Sequence, residues 1–319
     1  MNHLFNISVY HQEDALAKAR AFCDDGAYVD GMELLTGYEP VDPSFREYCG
    51  SVHLPYAADW YGPATGKRPV DPDMEDGLIR YRHFGRDMDG IVSAVHTAIC
   101  MAAPMDPAYG VFHAGSANIN ELLCYDYSDR DLDVIDVFAE IVNRAVADFP
   151  GGEPPFALAF ENTWWPGFRF TDKASFNRLA DRLEFEEWCL CLDTGHLLFA
   201  LKGSDDEQEA LEMLNAAADG YSDDMISRTV AMHLHVNTSR KVLRTLSDPD
   251  SASIPLEERM NRAYKLIGNV DQHRPFSDPA VRDFVDRIDP DFIVHEMGAV
   301  EIDDQIRDHI CQRSLFDSD

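Results

Sequence analysis

Hydrophobic and polar positions along this chain recur in one pattern: a short apolar run ends in a polar residue, and a helical stretch follows. Eight such runs can be drawn, at residues 4–10, 31–36, 51–56, 111–115, 157–163, 189–196, 230–237 and 292–298. Between them lie segments with a 3.6-residue apolar repeat. Residues 14–23 form one. Residues 131–149 form another, with Leu132, Ile135, Phe138, Ile141 and Val142 on one face. Strands alternating with helices predict a parallel sheet, and eight of them predict a single-domain (β/α)₈ TIM barrel over residues 1–319. No G-x-G-x-x-G or P-loop pattern favours a nucleotide-binding open sheet. Two connections are long, 57–86 after the third strand and 238–275 after the seventh. Long loops at the C-terminal ends of barrel strands build substrate pockets, so both are expected to form walls or lids.

The residues that end the strands carry the chemistry. They read Ser51-Val52-His53, Val111-Phe112-His113, Phe160-Glu161-Asn162-Thr163, Leu192-Asp193-Thr194-Gly195-His196, His233-Leu234-His235 and Val294-His295-Glu296, with Asp271-Gln272-His273 in the last long loop. Singly, each is weak: a histidine there is usually a hydrogen-bonded structural group, and a carboxylate is often a helix cap. In a barrel they converge on one mouth. Carboxylates crowded without cations repel one another, and imidazole mixed with carboxylate suits Zn²⁺, Mn²⁺ or Fe²⁺. Strand alternation puts Cys189, Cys191 and Asp193 on one face and His233 with His235 on another. His235, nearer the strand's C-terminal end, is then the better ligand, with His233 one layer deeper as a supporting or core histidine.

These motifs resemble the AP endonuclease family 2 group, typified by endonuclease IV, within the xylose isomerase-like TIM barrels. Val52-His53-Leu54-Pro55-Tyr56 resembles its V-H-x-P-Y strand, and Phe112-His113-Ala114-Gly115-Ser116 its H-x-G-S turn. Glu161-Asn162-Thr163 resembles its E-N-T, Asp193-Thr194-Gly195-His196 its D-T-x-H, and Asp271-Gln272-His273 its D-x-H loop. On the seventh strand, both Met232-His233-Leu234 and His235-Val236-Asn237 resemble parts of the family's pattern. The resemblance implies His53, His113, Glu161, Asp193, His196, His235, Asp271, His273 and Glu296 as metal ligands, Glu161 and Asp193 as bridging carboxylates, and up to three zinc ions. Related sugar isomerases and epimerases share a smaller set around one metal, matching Glu161, Asp193, His235 and Glu296.

Composition adjusts the picture. Hydrophobic residues make up 45% of the chain, enough for a large core. The seven cysteines follow no framework spacing, so neither a disulfide scaffold nor a C-x-x-C zinc knuckle is expected, and Cys189 and Cys191 read as small buried strand residues. No secretory signal and no membrane span is expected, which gives the cytoplasm as the default location and no membrane partner. A net charge of −31 repels polyanions and weighs against general nucleic-acid binding. Ala57, following Tyr56, lacks the bulk that a DNA-wedging loop needs.

The first expectation is therefore metal-dependent phosphoester hydrolysis of a small phosphorylated or abasic-type substrate by metal-activated water. A one-metal sugar or sugar-phosphate isomerase or epimerase is the alternative, and a non-catalytic metal-binding barrel is a third. Glu161 and Glu296 are the candidate catalytic carboxylates, as groups that move protons. Tyr56, Trp164 and Arg240 are the candidate substrate-binding residues. Arg80, Arg82, His83 and Arg86 in one long loop, and Arg240, Lys241 and Arg244 in the other, form local basic clusters suited to phosphate.

Overall fold

The computed structural model describes residues 1–246 and 253–317. Eight strands, β1 (Asn2–Ser8), β2 (Gly31–Leu35), β3 (Cys49–His53), β4 (Tyr109–His113), β5 (Ala157–Glu161), β6 (Trp188–Asp193), β7 (Thr229–His233) and β8 (Phe292–His295), pair in parallel and in sequence order into a closed barrel. Around them run α1 (Glu13–Asp25), α2 (Tyr61–Thr65), α3 (Asp76–His83), α4 (Met88–Ala102), α5 (Ile119–Cys124), α6 (Asp131–Val146), α7 (Lys173–Arg182), α8 (Thr194–Ala200), α9 (Glu207–Ala218), α10 (Asp223–Arg228), α11 (Arg240–Leu243), α12 (Leu256–Val270), α13 (Val281–Ile288) and α14 (Ile302–Arg313).

Two apolar layers hold the barrel. Outward strand residues such as Val52, Phe112, Phe160, Leu190 and Ile293 join the buried faces of the helices in one large core. The narrow interior is filled by Tyr109, Val111, Ala159, Cys189, Cys191 and Ala231. The paired cysteines of β6 are thus buried packing residues, as expected from their spacing, and their thiols are free. Helix α6 shows the helical logic plainly. Its repeat buries Val134, Ile135, Phe138, Ile141, Val142 and Ala145 and leaves Glu140 on the outside.

Several strands stop earlier than the apolar pattern implies. On β6, Asp193 caps a new helix: its carboxylate accepts the His196 N–H at 2.6 Å, so Thr194-Gly195-His196 is helical. On β7 the strand ends at His233, and His235 lies beyond it. The period-2 argument that set His233 and His235 on one face therefore does not reach His235. The 238–275 connection is also not all loop. Leu256, Met260, Ala263, Tyr264, Ile267 and Val270 fall on one side of the helix α12; residues 247–252 of that connection lie outside the described residues. No membrane span was expected, yet Met88–Met105 passes on length and composition. It is α4 with the turn after it. Ile91, Ala94, Val95, Ala98 and Ile99 lie buried in the core, and burial against the barrel is why it is so apolar.

Candidate metal centre

Barrel register levels the ligand-bearing residues. His113 pairs with Glu161 across β4–β5, and Asp193 with His233 across β6–β7. The strand ends therefore deliver their side chains to one height at the C-terminal mouth. Glu161 lies at the middle, 1% exposed, with Oε2 3.1 Å from His113 Nε2 and 3.3 Å from His53 Nε2. Its Oε1 is 3.1 Å from His196 Nδ1.

Supporting contacts aim the rings. His53 Nδ1 is 2.8 Å from the Leu54 carbonyl, and His196 Nδ1 is 2.9 Å from the Asn162 carbonyl. A carbonyl only accepts, so both Nδ1 atoms carry a proton and Nε2 is in each the nitrogen left to face the cluster. Asp271 completes a second part of the cluster: its Oδ2 is 3.4 Å from His196 Nε2 and 3.5 Å from His273 Nε2. His273 holds a left-handed φ of 44°, a conformation that costs free energy outside glycine.

Both histidines of the seventh-strand motif reach the centre. His235 Nε2 is 3.1 Å from Asp193 Oδ2, and its ring lies 4.5 Å from that of His273. His233 Nδ1 is 3.2 Å from Glu296 Oε2, 3.7 Å from Glu161 Oε1 and 3.9 Å from Asp193 Oδ2. Behind it, Glu33 on β2 lies 2.9 Å from His233 Nε2 and accepts the Ser51 hydroxyl at 2.8 Å. A carboxylate at Nε2 fixes the proton there and leaves Nδ1 facing the cluster. Glu33 had not been singled out in the sequence. The signal was present all the same: a charged residue inside the five-residue apolar strand Gly31–Leu35.

Four sets of ligand atoms lie mutually within 4.8 Å: His53, His113 and Glu161; Glu161, Asp193 and His196; Asp193, His233 and Glu296; and His235, His273 and Glu296. Glu161, Asp193 and Glu296 each belong to two sets. Several buried acceptors in the cluster make no hydrogen bond, among them Glu161 Oε2, His235 Nδ1, Asp271 Oδ1 and Glu296 Oε2. Orphaned buried acceptors of this kind are expensive unless a cation or water meets them, so the donor set fits divalent metal. Electrostatics agree. Burial alone would raise the Glu161 carboxyl, but His113, His233 and the His196 contact hold it well below the usual range. Burial likewise opposes ionisation of Asp271, yet His273 and His196 bring it down to about 2. Against burial, Asp271 and Glu296 push His273 up to about 10.

Above the cluster opens a cavity of about 410 Å³. Tyr56, Trp164 and Trp165 line it, as do residues of both long connections, including Tyr81 and Arg82 from one and Met260, Tyr264 and Ile267 from the other. The expectation that the two connections form walls holds. Tyr56 stacks on His113, with ring centroids 5.0 Å apart, and Trp164 packs edge-on against His196 at 4.8 Å. Arg240 is placed elsewhere. It is not among the lining residues, and its guanidinium is bound to Glu209 at 2.6 Å, Asp205 at 3.1 Å and the Gly203 carbonyl. Of the other cluster, Arg80 lies over the Tyr38 ring and Arg86 binds backbone carbonyls, so only Arg82 reaches the cavity.

Fold and site together give a (β/α)₈ barrel with a cluster of buried imidazoles and carboxylates at its C-terminal mouth that could hold divalent metal. Solved structures share the fold. Endonuclease IV from Thermus thermophilus superposes with a TM-score of 0.51 at 16% identity, over 99% of this chain and 98% of that one. A D-tagatose 3-epimerase-like protein gives 0.53 at 15% identity, over 99% and 95%. An L-ribulose 3-epimerase gives 0.53 at 10% identity, over 98% and 92%. At these identities the likeness shows the fold alone, a closed barrel of eight parallel strands with helices around it. No family model matches the sequence. No curated protein matches it by sequence either.

Proposed function

We propose that this chain is a divalent-metal-dependent enzyme that hydrolyses a phosphoester bond in a small phosphorylated or abasic-type substrate. The observation that carries this reading is the sharing of Glu161, Asp193 and Glu296 between neighbouring ligand sets. Carboxylates shared in this way suit adjacent ions bridged by one side chain. His53, His113 and Glu161 would hold one ion, Glu161, Asp193 and His196 a second, and His235, His273 and Glu296 a third, with Asp271 beside His196 and His273 and His233 the alternative seventh-strand ligand; zinc is the first choice and manganese or iron the others. When bound, such ions supply the positive charge that acidifies water and offsets a phosphoryl group. The chain's own part is to orient and exclude. The Leu54 and Asn162 carbonyls fix two imidazole tautomers, and Glu33 fixes a third. Tyr56, Trp164 and Trp165 border the space where substrate sits and restrict water. Glu296, 20% exposed at its side chain, is the carboxylate best placed to take a proton from the reacting group.

A sugar or sugar-phosphate isomerase or epimerase is the second reading. It is favoured by His233, whose Nδ1 faces Glu161, Asp193 and Glu296 together, a pocket for a single ion. There Glu161 and Glu296 would pass a proton between adjacent carbons. Among the similar structures are an endonuclease IV and an L-ribulose 3-epimerase, so the fold accommodates either chemistry. Metal-stripped protein should be reloaded with zinc, its ions counted per chain by mass spectrometry, and the product assayed on phosphomonoesters, an abasic duplex and an aldose–ketose panel. More than one ion with phosphoester cleavage is expected. One ion with sugar interconversion would establish the second reading, and full loading with no turnover on any panel would leave a metal-binding barrel without catalysis.

A further inference from the structure

The chain carries a net charge of −31, so most of its cations find carboxylates. Arg240 has Asp205 and Glu209, Arg68 has Asp129, and Arg178 has Asp136. Arg82 does not. It lines the mouth cavity, and among the described residues its guanidinium makes no ion pair within 4.0 Å and no hydrogen bond. Its backbone is fixed all the same. The Asp59 N–H donates to the Arg82 carbonyl at 3.1 Å, and the buried His83 ring lies 2.5 Å from the Asp59 carbonyl. Two contacts therefore tie the end of α3 to the start of the 57–86 connection and hold Arg82 at the wall.

We propose that Arg82 anchors an anion subsite in this cavity, and that the substrate of the metal centre is a small molecule bearing a phosphate or carboxylate group. The claim rests on the reading of the mouth as an active site. A guanidinium offers planar paired donors that match either anion. Arg259 on α12 reinforces it: its charge acts on Arg82, its Nε makes no hydrogen bond, and its Nη1 is bound to the neutral Asn120. Asp59 is the carboxylate facing this pair. It stands beyond ion-pair distance from Arg82, its Oδ1 makes no hydrogen bond, and burial pushes it up to about 7, so near neutrality it offsets only part of their charge. A cavity of about 410 Å³ suits a small molecule. On its apolar side, with Ile119, Leu122, Met260 and Ile267, Arg82 is the arginine among the described lining residues that can read charge away from the histidine cluster.

Fluorescence of Trp164 and Trp165 in zinc-loaded protein reports binding. Three probes separate the sources of charge: D-ribose, D-ribose 5-phosphate and D-glucuronate. At least one anion should bind about tenfold to hundredfold more tightly than ribose, the worth of a charged hydrogen-bonded contact. Arg82→Gln should remove that preference with the zinc count unchanged, Arg82→Lys should keep part of it, and Arg240→Gln should keep all of it. Whichever anion retains the preference names the substrate class. Equal binding of ribose and both anions, a preference that survives Arg82→Gln, or no saturable binding of either anion at millimolar concentration would overturn the proposal. The same titration on metal-free protein keeps the two readings apart. Failure to bind zinc would sink the metal reading, while an Arg82-dependent anion preference would stand.

Discussion

Replacing Gly195 with alanine tests the centre through a single added carbon. A Cβ built there falls 2.0 Å from His235 Cε1, 2.6 Å from Nδ1 and 2.7 Å from Nε2. Ordinary carbon–carbon contact begins at about 3.5 Å, so the ring must retreat by about 1.5 Å. It has little room to do so. His235 is fully buried, its N–H donates to Thr194 Oγ1 at 3.1 Å, and its carbonyl accepts the Thr194 hydroxyl at 2.8 Å. Overpacking of this kind costs about 1–3 kcal/mol, which for a 319-residue chain lowers the melting temperature by roughly 1–5 °C. A zinc–nitrogen bond of about 2.0–2.1 Å does not survive that displacement, so zinc affinity should fall by at least the tenfold to hundredfold expected when a supporting group is lost. Chelator competition gives the affinity and thermal unfolding gives the stability. Pairing Gly195→Ala with His235→Ala removes the clash, and the two stability losses should then be less than additive. A Gly195→Ala protein that keeps wild-type zinc affinity and melting temperature would refute the placement of His235.

Three further outcomes are expected. His273, pushed up to about 10 by Asp271 and Glu296 against the effect of burial, carries a proton at neutral pH; zinc loading should release protons into a weakly buffered indicator solution and tighten as pH rises, and proton-neutral loading would contradict this. At the β1–α14 seam, burial holds His3 and His309 down to about 4, so the folded state binds fewer protons than the unfolded chain, whose histidines titrate near 6.5; stability is complete above about pH 6.5 and is lost toward about pH 4, at up to about 1.4 kcal/mol per pH unit per histidine. His309→Gln should flatten that slope in acid melting curves, and an unchanged slope would remove His309 from the account. Burial also raises the Cys189 thiol to about 12, so DTNB should modify exposed Cys311 in native protein and reach Cys189 and Cys191 only on unfolding.

The barrel was legible because strand and helix periods alternate eight times, and periodicity depends on local sequence alone. That these side chains gather at one mouth was legible for a similar reason: imidazoles and carboxylates at the ends of apolar runs stand out against the core. What escaped depends on three-dimensional register. Glu33 gains its role only because β2 places it opposite His233. His235 reaches Asp193 from beyond the strand, where alternation no longer applies. Arg240 looked free because its partners Asp205 and Glu209 lie on another segment, and α12 looked like loop because its apolar stripe is narrow and lies between two motifs.

The distribution of ligands along the chain has a consequence for engineering. Three of the four ligand sets lie wholly between Glu161 and Glu296, whereas Tyr56, Tyr81 and Arg82 belong to the segment between β3 and β4. Selectivity and ligation are therefore carried largely by different stretches of the chain. Exchange of its mouth-facing residues Tyr81 and Arg82, with the buried Trp60, Tyr61 and Phe84 kept, should change selectivity while the candidate ligand sets stay in place.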